Sequence, residues 1–237
     1  MCTYGTLPQK FPGELAVERE KTPLFYHAPG VTDSMDVVHV TRDAETFTCN
    51  AYLVDGDEPT LVDAGAYGGV IEEIRRHVDD LERVLVTHQH GDHVEQLDAV
   101  VDAFDPDVYA FDDHPLRTHA LGDGDRVQVG DDDFEAVFTP GHAPDHVSLV
   151  SEDALFSGDV VVHDDGAFDD GSFGRTDMAG QSRERLVGSI RELLERMPAG
   201  VEGMYAGHGS VFHGDVREVV ERALERAERR EPKYPDE

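Results

Sequence analysis

The sequence predicts an α/β (α+β) fold in which two β-sheets pack face to face with helices outside. Three observations predict it. Short apolar runs bounded by turn residues recur at strand length. Stripes of apolar residues at helical spacing lie between them. The same plan occurs in both halves, and no Gly-, Pro- or Ser-rich boundary separates them, which argues for one domain of layered sheets and helices.

In order, residues 1–36 are mixed, with Pro8, Pro12, Pro23 and Pro29 interrupting any periodicity, and read as an N-terminal arm. Val37–Val40 and Asn50–Val54 read as strands. Asp55-Gly56-Asp57 is turn chemistry, and Pro59–Val62 returns as the partner strand, ending in Asp63-Ala64-Gly65. Val70, Ile71, Ile74 and Val78 recur at helical spacing. Arg83–Thr87 is the next strand. Val94, Leu97, Val100, Val101 and Phe104 mark one face of a helix that Asp105-Pro106 ends, and Val108–Phe111 is a further strand.

The second half repeats the layout without close sequence identity. Val127–Val129 and Phe134–Thr139 are strands, and Val147–Val150 with Ala154–Phe156 form a hairpin about Ser151-Glu152-Asp153. That hairpin ends in Ser157-Gly158-Asp159, much as the first ended near Asp63. Leu186, Val187, Ile190, Leu193 and Leu194 form a helical stripe stopped by Pro198. Met204–Ala206 is a strand. A last helix has Asp215 as N-cap and buries Val216, Val219, Val220, Ala223, Leu224 and Ala227. The domain therefore spans 37–228, and 229–237 is a solvated tail.

Composition narrows the function. The 51 acidic residues face 20 basic ones, a formal net charge of −31, and only Lys10, Lys21 and Lys233 are lysines. Such a field repels polyanions, which excludes nucleic acid and anionic membranes as natural partners. The regular apolar periodicity argues against disorder. An acidic, lysine-poor surface resembles cytosolic proteins of salt-loving microbes. No apolar run is long enough to span a bilayer, and no basic-then-apolar leader opens the chain. Cys2 and Cys49 make no disulfide framework, so a cytoplasmic setting is expected and both read as structural.

Chemistry concentrates in Thr87-His88-Gln89-His90-Gly91-Asp92-His93, directly after the apolar run Val84-Leu85-Val86. His and carboxylate are ligand types that zinc and iron accept; the competing reading is a polar turn rich in His. Further ligand types follow other apolar runs: His142 in Thr139-Pro140-Gly141-His142, Asp159 in Phe156-Ser157-Gly158-Asp159, and His208 in Ala206-Gly207-His208-Gly209. Ligands at neighbouring strand tips would meet at one edge of the two sheets. Adjacent glycines let backbone pass close to a crowded centre.

This ordered set resembles the metallo-β-lactamase superfamily, with its αββα sandwich of mixed sheets and HxHxDH signature, over about residues 37–228. The resemblance implies that His88, His90 and His142 hold a first metal, that Asp92, His93 and His208 hold a second, and that Asp159 bridges them. Two such cations, zinc in the leading reading, would share a water and lower its pKa from ~15.7 towards neutrality. Asp92 would orient the resulting hydroxide. His146 reads either as a hydrogen-bond support for a ligand or as an ordinary core histidine.

Within the superfamily, Thr139-Pro140-Gly141-His142-Ala143-Pro144-Asp145-His146 resembles the TPGHTxGH segment of the glyoxalase II-like branch, and Gly171-Ser172-Phe173-Gly174-Arg175-Thr176-Asp177 resembles its GSFGRTD loop. That branch hydrolyses thioesters, so a small-molecule acyl-thiol is the implied substrate. Arg175 would meet a substrate carboxylate or pin its own loop by a salt bridge. Phe173, His163 and Phe168 are placed at the substrate mouth. The helical C-terminal extension of the long glyoxalases II, which carries glutathione contacts, has no counterpart here. The rival readings are a persulfide dioxygenase-like enzyme with iron held by His88, His142 and Asp159, and a lactonase. Self-association into a homo-oligomer is compatible with either. The remaining histidines, His27, His39, His77, His114, His119 and His213, lack clustered spacing and read as solvated or structural.

Overall fold

Alternation along each strand sends neighbouring side chains into different cores, and this stacks the layers. The computed structural model describes residues 35–233. In chain order its first half contains β1 (Val37–His39), β2 (Tyr52–Val54), β3 (Thr60–Val62), α1 (Val70–Ile74), β4 (Arg83–Leu85), α2 (Gly91–Val94), α3 (Leu97–Phe104), β5 (Asp107–Ala110) and β6 (His119–Ala120). The second half contains β7 (Arg126–Val129), β8 (Asp132–Phe138), β9 (Val147–Val150), β10 (Ala154–Gly158), β11 (Val161–Val162), β12 (Ser172–Phe173), α4 (Arg183–Arg196), β13 (Gly203–Ala206), β14 (Phe212–His213) and α5 (Val216–Arg229).

The first sheet runs β1-β2-β3-β4-β5-β6. It is antiparallel from β1 to β3 and parallel from β3 to β6. The second runs β14-β13-β10-β9-β8-β7. It is antiparallel except where β10 pairs β13. Both sheets are therefore mixed. Tyr52, Val54, Val62 and Leu85 of the first sheet and Phe134, Ala136, Leu149, Phe156 and Tyr205 of the second fill one shared core. Their neighbours Leu53, Leu61 and Val84 turn the other way and pack under Val70, Ile74, Leu97 and Val100 of α1 and α3. Val137, Val150, Leu155 and Met204 do the same under Leu186, Ile190, Val219 and Val220 of α4 and α5. The result is helices, sheet, sheet, helices, as the apolar pattern predicts.

The hairpins about residues 55–57 and 151–153 form as expected. Asp215 caps α5 by accepting the Glu218 N–H at 3.0 Å. Two elements differ. The single helix expected across Val94–Phe104 is two helices. The His93 carbonyl accepts from Ala64 N and Gly65 N at 2.9 and 3.0 Å, and a carbonyl spent on that crossing cannot continue the helical ladder. The second departure is in the tail. The Lys233 side chain is only 4 % exposed and reaches Asp165 at 2.5 Å, so that residue is packed rather than solvated. Four two-residue strands, β6, β11, β12 and β14, are too short to leave a periodic signal. Of the arm, only Met35 and Asp36 fall within the described residues. No helix among the described residues is long and apolar enough to cross a membrane.

Candidate metal centre

Four strand ends deliver the ligand types. β4 leads into His88, His90 and the short helix bearing Asp92 and His93; β8 leads to His142, β10 to Asp159 and β13 to His208. β4 belongs to the first sheet and the others to the second, so the loops must be tied across the sandwich. They are: Val147 N donates to Thr87 O at 2.9 Å and Asn50 N to Gly207 O at 2.7 Å, while Cys49 N, within the first sheet's own loops, donates to Asp92 O at 3.2 Å. The Tyr52 hydroxyl donates to Ala206 O at 2.9 Å.

The structure brings all seven side chains to one place. His90 Nδ1 lies 3.0 Å from both His88 Nε2 and His142 Nε2. His208 Nε2 lies 3.1 Å from Asp92 Oδ2 and 3.4 Å from Asp159 Oδ2. Asp159 also lies 3.4 Å from His142 Nε2 and 3.5 Å from His93 Nε2. His88, His90 and His142 form one ligand-competent cluster and Asp92, His93 and His208 another, with Asp159 between them.

The donor set fits divalent metal. Nitrogens sharing one tetrahedral zinc at ~2.0–2.1 Å would sit about 3.3 Å apart, close to the spacing here. His93 Nε2 and Asp159 Oδ1 are buried without a hydrogen-bond partner. They face each other at 3.5 Å as an ion pair without a hydrogen bond, so a cation could complete both. Burial lowers His142 to about 4 and holds His88 well below the usual range, which leaves both rings neutral, the form that ligates. Burial alone would also lower His93, but Cys49, Asp63 and Asp159 around it drive it well above the ordinary value. Burial would raise Asp159, yet His93 and its neighbours hold it well below the carboxylate range.

Three of these rings are aimed by hydrogen bonds from outside the cluster. Thr87 Oγ1 donates to Asp63 Oδ2 at 2.8 Å and lies 3.2 Å from His88 Nδ1. Asp63 Oδ2 also accepts from His93 Nδ1 at 2.8 Å. His142 Nδ1 donates to the Arg175 carbonyl at 3.1 Å. Each Nδ1 being held, each Nε2 turns inward, and such supports orient the ring and raise its basicity. Asp63 was not singled out from the sequence as functional, although its place at a strand tip parallels that of Asp159. Asp145, which accepts the Gln89 N–H at 3.0 Å, gave no sequence signal beyond sitting in the His142 motif.

His146 is fully buried beside Asp159. Its Nε2 accepts the Asp159 N–H at 2.9 Å, and its Nδ1 faces Thr139 Oγ1 at 2.8 Å. Burial lowers it to about 3, which keeps it neutral. Two glycines make room. A Cβ at position 158 would lie 2.4 Å from His146 Nε2, and one at position 207 would lie 2.2 Å from Asp159 Oδ1.

The expected substrate residues fare unevenly. Arg175 is exposed and engages Asp177 through Nε and Nη2 at 2.9 and 2.7 Å, which favours loop pinning. Phe173 is fully buried, with Arg183 and Lys233 over its ring, and belongs to the core rather than a mouth. Phe168 packs against the same core under Arg226. His163 is half-buried, 3.2 Å from Asp164 and stacked on Phe212. His39, His77, His114, His119 and His213 belong to none of the ligand clusters among the described residues, and His27 lies outside those residues. Cys49 is buried behind His93 as a free thiol, and Cys2 also lies outside the described residues.

The chain belongs to the metallo-beta-lactamase superfamily, whose family model matches residues 44–234. The fold is that of this class. Among curated proteins, it is 36% identical over 105 residues to a hydroxyacylglutathione hydrolase of Aliivibrio fischeri, covering 43% of this chain and 41% of that protein. It is 31% identical over 187 residues to "Probable metallo-hydrolase YqgX" of Bacillus subtilis, covering 68% of this chain and 84% of the relative. The match therefore spans about two fifths of the hydroxyacylglutathione hydrolase. Among solved structures, TTHA1623 in a di-iron-bound form superposes with TM-score 0.59 at 26% identity, covering 74% of this chain and 93% of that one. ETHE1 from Myxococcus xanthus gives TM-score 0.61 at 22% identity over 80% and 89%, a likeness of fold.

Proposed function

We propose that this protein is a metal-dependent hydrolase that cleaves the thioester of a small acyl-thiol in the cytoplasm. The observation that carries the reading is the convergence of seven ligand-type side chains, among which the buried pair His93 Nε2 and Asp159 Oδ1 lie 3.5 Å apart without a hydrogen bond. His88, His90 and His142 would hold one cation, Asp92, His93 and His208 a second, and Asp159 both. Bound there, zinc or iron would supply Lewis acidity for the carbonyl and make water nucleophilic near neutral pH.

The chain's own residues do the rest. Asp92 is half-buried at the opening, with Oδ2 3.1 Å from His208 Nε2. From there its carboxylate can orient an attacking water and accept its proton. Asp63, Thr87 and the Arg175 carbonyl keep His88, His93 and His142 aimed inward, so little reorganisation is needed on binding. No nucleophilic Ser or Cys enters this scheme. The hydroxyacylglutathione hydrolase among the relatives supports the thioester class, and the di-iron neighbour keeps iron as an occupant alongside zinc.

Metal analysis of the purified protein with a panel of acyl-thiols and lactones tests the reading. About two metals per chain and cleavage of a thioester support it. One iron with oxygen uptake on a persulfide would replace it with the oxygenase alternative, and lactone cleavage alone would replace it with a lactonase.

A further inference from the structure

Among the described residues two large apolar side chains are exposed, Phe47 and Met178. Phe47 stands at the metal centre. Its residue is 78 % exposed, yet its ring stacks on His208 with centroids 5.4 Å and planes 16° apart. Phe47 takes no part in the three hydrophobic cores. Packing therefore does not explain it.

The chain just beyond Phe47 is pinned. Thr48 Oγ1 accepts the Ala66 N–H at 2.7 Å. Cys49 N donates to Asp92 O at 3.2 Å and Asn50 N to Gly207 O at 2.7 Å. The Asn50 amide donates to Gly209 O at 2.9 Å. These bonds fix the segment to both loops that carry Asp92 and His208. A phenyl ring thus stands beside the half-buried ligand His208, on an anchored stretch of backbone. A rigid aromatic at a rim gives large contact area at low entropic cost.

We propose that Phe47 determines substrate specificity by receiving an uncharged apolar group, aliphatic or aryl, on the acyl side of the substrate. The inference rests on the hydrolase reading above and names its substrate class. The charge around the ring disfavours the opposite preference, the cation Arg42 on the same loop being outnumbered by carboxylates. Asp43 and Glu45 share its loop and are exposed, and the chain's charge of −31 disfavours anionic acyl groups at this rim. An apolar group stacked beside His208 also sets the reacting carbonyl next to Asp92, since those two side chains lie 3.1 Å apart.

The test uses straight-chain carboxylates from two to eight carbons as probes, binding to the protein as purified with its metal content measured. Wild type gains about two- to fourfold in affinity per added methylene, the range between one-sided and full burial of a CH2. Phe47→Ala loses most of that gradient with metal content unchanged, and Phe47→Leu keeps much of it. The same gradient in KM for acyl-thiols, at constant kcat, is expected. Equal gradients in wild type and Phe47→Ala, or no gradient in wild type, overturn the proposal. If Phe47→Ala sheds metal, Phe47→Leu and Phe47→Ser carry the comparison. Because carboxylate binding needs no turnover, a gradient without thioester cleavage would reject the hydrolase reading and leave the apolar rim standing. Cleavage without a gradient would do the reverse.

Discussion

The backbone N–H of Asp159 donates to His146 Nε2 at 2.9 Å, so a neutral histidine behind the centre sets where this buried carboxylate stands. The far side of the ring faces Thr139 Oγ1, itself 3.0 Å from Ser148 Oγ, which donates to Ser157 O. The ring is therefore locked at both nitrogens. His146→Ala is expected to weaken metal binding about 10- to 100-fold, the usual effect of removing a ligand's support. Competition with a chromophoric chelator measures it. An unchanged affinity would reduce His146 to a core residue.

Asp63 sits at φ 58° with its carboxylate buried, accepting from His93 Nδ1, Thr87 N and Thr87 Oγ1. Aspartate tolerates that left-handed backbone better than most residues, and asparagine shares the tolerance. Asp63→Ala leaves three buried donors unpaired and is expected to cost about 3 kcal/mol or more, with loss of metal. Asp63→Asn keeps the backbone and loses less. Urea unfolding of the two variants, each with metal content assayed, separates the backbone effect from the lost charge.

His39 offers a pH readout away from the metal. Burial, helped by the nearby Arg42 cation, lowers it to about 4. The unfolded chain, near 6.5, binds the proton first. Folded stability from this group is therefore full above about pH 6.5 and declines as pH falls towards 4. The decline is at most about 3 kcal/mol. The stability of wild type relative to His39→Phe, followed by urea unfolding from pH 7 to pH 4, should fall by up to that amount. A difference independent of pH would contradict the burial argument.

Lys233 reaches the Phe173 carbonyl and, at 2.5 Å, Asp165, while Asp165 also accepts from Ser172 Oγ at 2.8 Å. This ties residues near the chain's end to the strand that precedes Arg175. Lys233→Met keeps the stem but strands a carboxylate and a carbonyl, and is expected to cost about 1–3 kcal/mol. Adding Asp165→Asn should recover part of it, because the two residues act as one unit. Thermal unfolding of the four-member cycle reads the coupling.

Much of this was legible in the primary structure, and for identifiable reasons. Strand alternation at Tyr52-Leu53-Val54 and Leu155-Phe156 encodes the two faces directly, so the layered architecture followed. The convergence of His88, His90, His93, His142 and His208 was legible because ligand-type residues at strand tips are compact signals. Supports such as Asp63 and the Arg175 carbonyl act across long sequence separations, which no local pattern encodes. Phe173 misled because a motif gives residue type but not which side of a two-residue strand faces the core. The break before α3 depended on one carbonyl recruited by Ala64 and Gly65.

The Asn50 amide meets the Ala206 carbonyl across 156 positions of chain, and Tyr52 meets the same carbonyl across 154. The constellation consequently cannot exist on a half-synthesised polypeptide: the histidines emerging first have no complement until the distal strands arrive. Cation uptake should mark the final stage of biogenesis, making cofactor acquisition an internal report that the whole domain has closed.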